Sequence, residues 1–133
     1  MGSILGIGID LVQVERIASL RRRHGRRFLA RVFTERELEA NGLQRTRDER
    51  LATRFAAKEA VMKALGTGWA QGVGFKHIEI DQLPSGQPIA RLSGGALKRA
   101  QEMGAGRVLL SLTNEGNWAV AVAILEAASD EKS

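Results

Sequence analysis

The sequence predicts a single α+β domain in which an antiparallel sheet packs on a long central helix. Three observations carry that expectation. Residues 54–68, RFAAKEAVMKALGTG, read as a helix closed by glycines. Residues 4–12, ILGIGIDLV, read as a strand with one glycine-lined face. Residues 107–125 contain two alternating strands about a turn, the clearest hairpin in the chain. At 133 residues the chain is one domain by size and long enough to bury roughly two-thirds of its extended surface. The domain is placed at 1–126, with 127–133 as a flexible tail.

Each element follows in order. In the strand at 4–10, Leu5, Ile7, Ile9 and Leu11 point one way and Ile4, Gly6, Gly8 and Asp10 the other. The glycines leave the Asp10 face bare, so another element can pack close to it. A helix follows at about 11–30, and the spacing of Asp10 and Gln13 makes Asp10 a candidate N-cap. Thr34 with Glu37 repeats that signature and starts a short helix ended near Asn41-Gly42. A polar connection leads to the central helix at about 48–66. There Leu51, Phe55, Met62 and Leu65 mark an apolar stripe, and Gly66 and Gly68 stop the helix. Residues 66–74 are a glycine-rich loop. Strands at 75–83 and 87–92 flank the turn Pro84-Ser85-Gly86, and a short helix at 96–103 ends at Gly104. In the closing hairpin Asn114-Glu115-Gly116 turns the chain. Trp118, Val120, Val122 and Ile124 alternate with Ala119, Ala121 and Ala123, and the Trp118 stripe is read as core or subunit interface.

Composition excludes several classes. There is no cysteine, which removes disulfides, zinc–thiolate sites and cysteine nucleophiles and fits a reducing cytoplasm. No apolar run approaches the ~18 residues of a membrane span, and no signal peptide is evident. The net charge is +5, with Arg16, Arg21, Arg22, Arg23, Arg26, Arg27 and Arg31 crowded together. Such a run is by default a solvated helix face; its density points to an anionic partner. Nucleic acid is one candidate, but no binding motif or stacking aromatic array accompanies the cluster.

The chemistry concentrates at Asp10, Glu59 and Lys63. Glu59 falls roughly 60–80° from the centre of the apolar stripe, at a boundary where a carboxylate needs a cation or hydrogen-bond donors. Lys63, one turn on, is an ordinary partner for it. If the helix lies over the glycine face of the first strand, Asp10 and Glu59 share one site and repel unless a cation or proton lies between them.

With these residues placed, the chain resembles the holo-acyl-carrier-protein synthase family, the short bacterial 4′-phosphopantetheinyl transferases. The match runs through GIGIDLVQVERI at 6–17, FTERELE at 33–39, RFAAKEAVMKALGTG at 54–68, GQPIARLSGGA at 86–96 and SLTNEGNWAVAVAI at 111–124. The resemblance implies the 4′-phosphopantetheinyl transferase-like fold. It also implies transfer of the phosphopantetheine arm of coenzyme A to a serine of apo-acyl carrier protein, releasing adenosine 3′,5′-bisphosphate, in fatty-acid or polyketide synthesis. It assigns Asp10, Glu59 and Lys63 to catalysis, and Asp10 and Glu59 to Mg2+. Coenzyme A is assigned to Arg54, Lys58, Lys63, Gly66, Thr67, Gly68, Thr113 and Asn114. Arg16, Arg21, Arg22, Arg23, Arg26 and Arg27 are assigned to docking the acidic carrier protein. It further implies a homotrimer with coenzyme A in clefts between subunits, acting in the cytoplasm with neither membrane nor nucleic acid as partner. One departure stands out. Many relatives carry a histidine after the Ser-x-Thr of the penultimate strand, and here that position is Asn114. Asparagine carries no charge at neutral pH and so cannot serve as a general base or cationic phosphate contact; by the resemblance, Asn114 is expected to be a nucleotide contact that tolerates substitution, beside Thr113.

Overall fold

A computed structural model describes residues 2–68 and 72–128. The order is β1 (Ile4–Gln13), α1 (Val14–His24), α2 (Arg26–Val32), α3 (Glu35–Leu38), α4 (Asp48–Leu65), β2 (Ile78–Gln82), β3 (Pro88–Leu92), α5 (Gly94–Met103), β4 (Ala105–Glu115) and β5 (Trp118–Ala127). Single 3-10 turns at Leu43–Arg45 and Phe75–His77 lead into α4 and β2. All strand pairs are antiparallel, in one sheet ordered β1-β5-β4 and a separate β2-β3 hairpin. The α+β architecture read from the sequence is borne out.

The central helix α4 packs on one face of the larger sheet. Small residues make that possible. A Cβ on Gly8 would lie 2.0 Å from the Ala60 carbonyl oxygen, and one on Gly6 2.2 Å from that of Ala64. From β5, Ala119, Ala121 and Ala123 face the core, each with no exposure. The bare face expected around Asp10 is thus the seat of the helix. Nor is α4 amphipathic: most of its 18 residues are buried, since β1, β5, α1 and β2 wrap it.

Several boundaries differ from expectation. β1 continues to Gln13, which pairs with Trp118, so Asp10 is mid-strand and not an N-cap. A register shift between Ile4 and Gly6 turns Leu5 toward the core and leaves Ile4 exposed. The first helix is two, because Gly25 sits at φ 49, which a side chain disfavours. Asn114 lies in β4 opposite Ala119, and the turn is Gly116-Asn117. Residues 75–77 form a 3-10 turn, not strand. Ala127 still belongs to β5, pairing with Ala105; residues 129–133 of the expected tail and 69–71 of the glycine-rich loop fall outside the described residues.

Candidate active site

The site begins where α4 crosses β1. Lys63, in the last turn of α4, reaches the strand: its Nζ donates to Asp10 Oδ1 at 3.2 Å and to the Ile9 carbonyl at 3.0 Å. The Asp10 side chain is 15% exposed and the Lys63 side chain 52%. The contact of Ala60 with Gly8 and of Ala64 with Gly6 sets a ladder, because four helical residues advance about as far as two strand residues, ~6–7 Å. One rung earlier brings residues 56–59 level with Asp10. Glu59, half-buried, stands there on the flank that also carries Lys63. Residues separated by about fifty positions meet because glycines let two backbones touch.

Past the site α4 ends in a glycine cap. Gly66 takes φ 75; its N–H reaches Lys63 O and the Thr67 N–H reaches Met62 O, the Schellman pattern. Thr67 is buried, and its hydroxyl donates to the Gly68 carbonyl.

A groove of about 740 Å3 opens toward the other end of α4, lined by Arg47, Arg50 and Arg54, by the edge of β4 including Thr113 and Asn114, and by the β2–β3 turn. Arg54 is 6% exposed, and its guanidinium makes no hydrogen bond among the described residues. Burial, and then the charge of Arg50, lower its pKa, against the pull of Glu37 and Asp81. A buried cation in that state favours an anionic ligand. Arg54, Thr113 and Asn114 are therefore brought together, whereas Asp10 and Lys63 meet where α4 crosses β1, with Glu59 on the same flank of α4 and Gly66–Gly68 beyond its end. Along α4, Arg54 and Lys63 are about 14 Å apart.

Two assignments are corrected. Lys58 has no exposure and no reach to a ligand. All three ammonium donors are engaged: Glu37 Oε1 at 2.7 Å, Ile78 O at 2.6 Å and Phe75 O at 3.1 Å, with the ammonium 5.2 Å from the Phe33 ring centre. Burial pushes this ammonium below the ordinary lysine range, and Glu37 opposes the shift. Glu37 in turn accepts from Thr34 N and Ile80 N, tying α3, α4 and β2 together. Arg21 is the second. Its guanidinium turns inward to Thr46 O, Gln44 O and Asp48, clamping the approach to α4. Arg16, Arg22, Arg23, Arg26 and Arg27 remain exposed, and Arg22 pairs with Glu15.

The sequence pattern of the 4′-phosphopantetheinyl transferase superfamily matches residues 6–123, covering both halves of the Asp10–Lys63 contact. The chain belongs to this superfamily. A holo-[acyl-carrier-protein] synthase of Shewanella amazonensis is 50% identical over 123 residues, 92% of this chain and 98% of that protein. The crystal structure of the holo-[acyl-carrier-protein] synthase from Neisseria meningitidis superposes with a TM-score of 0.85 at 36% identity, covering 93% of this chain and 99% of that one. The Helicobacter pylori holo-[acyl-carrier-protein] synthase in complex with coenzyme A gives 0.79 at 28% identity, covering 90% and 98%. The transferase fold and the family resemblance read from the motifs are both borne out. Sequence reasoning saw Glu37 only as a cap; the lysine that it neutralises lies 21 positions away, and no local spacing signals that pairing.

Proposed function

We infer that this protein is a holo-[acyl-carrier-protein] synthase, transferring the 4′-phosphopantetheine arm of coenzyme A to a serine of apo-acyl carrier protein. The observation that carries the reading is the Lys63–Asp10 contact, which joins the two family motifs at one point on the surface. In the reaction the serine oxygen bonds to the β-phosphorus, the bond from that phosphorus to the bridging oxygen breaks, and adenosine 3′,5′-bisphosphate leaves. The serine proton is lost as the new ester forms. Lys63 places a positive charge where the leaving oxygens gather negative charge, and Asp10 holds its ammonium on the strand.

Asp10 and Glu59 are the residues to hold Mg2+. Among the described residues no cluster of three or more metal-ligating side chains exists. Two carboxylates fit this ion nonetheless, because Mg2+ keeps waters and completes its shell with substrate phosphates. When bound, it would neutralise the pyrophosphate.

The arginine groove suits the adenosine 3′,5′-bisphosphate end: Arg54, which makes no hydrogen bond among the described residues, would meet an anion there, and Thr113 and Asn114 offer neutral donors. The outer face of β1 supports a homotrimer with coenzyme A at subunit boundaries. There Ile4, Ile7, Ile9 and Leu11 are each more than half exposed, and Trp118 is 45% exposed, an apolar stripe that a second copy would cover. The exposed arginines of α1 and α2 suit an acidic carrier protein. No described helix is long and apolar enough to cross a membrane. We place the enzyme in the cytoplasm, in support of fatty-acid synthesis. Mass spectrometry of apo-acyl carrier protein incubated with coenzyme A, Mg2+ and this protein tests the reading. A gain of one phosphopantetheine is expected; an unmodified carrier would overturn it.

A further inference from the structure

The Asp10 carboxylate, proposed above to hold Mg2+, already carries a cation of this chain. The Lys63 ammonium lies 3.2 Å from Asp10 Oδ1 and donates a second bond, at 3.0 Å, to the Ile9 carbonyl. Among the described residues Asp10 Oδ2 accepts no hydrogen bond, so Lys63 engages one of the two carboxylate oxygens. The backbone fixes where this charge sits. A Cβ on Gly8 would lie 2.9 Å from the Lys63 Cβ, so the lysine stem starts against β1, on the face that carries Asp10 and two residues before it. An ion bound about 2.1 Å from either carboxylate oxygen would stand roughly 5–7 Å from the ammonium. The Lys63 side chain is 52% exposed, so the medium between them is close to water. Even there, a doubly charged ion and an ammonium at that separation repel enough to weaken metal binding about tenfold.

We propose that Lys63 makes metal binding conditional on coenzyme A. Its charge keeps Mg2+ weakly held at Asp10 in the protein alone. The diphosphate of coenzyme A offsets that charge, so metal and coenzyme A bind cooperatively, each raising the affinity of the other by the same factor. This rests on the coenzyme A and Mg2+ readings above. A lysine that only contacts phosphate behaves differently, because its removal leaves the metal affinity of the protein alone unchanged.

The test is metal binding, read apart from turnover. Mg2+ is titrated by calorimetry, and Mn2+ by electron paramagnetic resonance, with and without coenzyme A at one pH and ionic strength. The proteins are wild type, Lys63→Met, Lys63→Arg, and Lys63→Met combined with Asp10→Asn. Methionine keeps the length of the stem and loses the charge; arginine keeps the charge. Without coenzyme A, Lys63→Met is expected to bind either metal about tenfold more tightly than wild type, and Lys63→Arg to stay within about twofold of wild type. Coenzyme A should tighten metal binding in wild type, by a factor about tenfold larger than in Lys63→Met. Equal metal affinity of wild type and Lys63→Met without coenzyme A, or an equal effect of coenzyme A on both, would overturn the proposal. Adding Asp10→Asn should abolish the gain in Lys63→Met; an undiminished gain would overturn the Mg2+ reading and this proposal with it. A wild type that neither binds coenzyme A nor modifies carrier overturns the functional reading, whereas an active wild type whose metal affinity ignores Lys63→Met overturns this proposal alone.

Discussion

At the scale of single residues, the site is a set of charges with distinct tasks. If Asp10 and Glu59 hold Mg2+ as proposed, Asp10→Asn and Glu59→Gln keep shape and remove one ligand charge each, so each should abolish transfer at saturating Mg2+ with an unchanged circular dichroism spectrum. Near wild-type turnover in either variant would misplace the metal. On the proposed role of Lys63, its charge meets leaving-group charge most fully in the transition state, so Lys63→Ala should lower kcat more than coenzyme A affinity. Weaker binding with unchanged kcat would make Lys63 a ground-state contact. Lys58 adjoins Glu59 in sequence but belongs to the fold. Lys58→Met strands the Glu37 carboxylate in the core and should cost about 3–5 kcal/mol in urea unfolding. The motifs made Asp10, Glu59 and Lys63 legible. The inward turn of Lys58 was not, because a long flexible side chain goes wherever a distant partner and free carbonyls are, and Phe75 O and Ile78 O come from another part of the chain.

At the scale of elements, the contact of α4 with β1 positions the chemistry. Gly8→Ala drives a methyl into the Ala60 carbonyl, a backbone atom that no rotamer change moves aside. It should destabilise by about 3 kcal/mol and depress transfer in whatever fraction remains folded. Wild-type stability and activity would show that the helix can retreat freely. The β2–β3 hairpin gives a pH test. The Arg91 guanidinium, then the Gln82 N–H, hold the Asp81 carboxyl below its ordinary value of 3.8. The native state thus binds protons less readily than the unfolded chain. The stabilisation is complete above about pH 4 and is lost as pH falls through the lowered native value. Asp81→Asn should flatten that acid limb in urea titrations, modestly, since the pair is close to solvent. Periodicity revealed where most elements lie, and the paired glycines of β1 announced a close neighbour. The break at Gly25 stayed hidden because a lone glycine in a helical pattern is usually tolerated, and the α4 burial stayed hidden because alanine reports neither face.

At the scale of the molecule, charge and apolar surface lie on different faces. Charge reversal of Arg16 and Arg22 to Glu should raise KM for carrier protein about tenfold or more at low salt and leave that for coenzyme A unchanged. Normal modification at low carrier concentration would make the cluster a solvated face. If copies of the chain assemble through the outer face of β1 as proposed, Ile9→Lys there should lower the assembly size seen by light scattering, and with it coenzyme A affinity. The helix–sheet contact has a further consequence. Where α4 meets the sheet, the facing residues are Gly6, Gly8, Ala60, Ala64, Ala119, Ala121 and Ala123, while Ile17, Phe33, Leu43 and Leu51 fill the core elsewhere. Tolerance to mutation should therefore be lopsided across the interior. Around Phe33 and Leu51 the damaging changes are truncations; along the glycine–alanine seam almost nothing can be truncated, and the damaging changes are gains of even one methyl. A library scanned at every position would then show two interiors in one small protein, one that selection keeps full and one that it keeps empty.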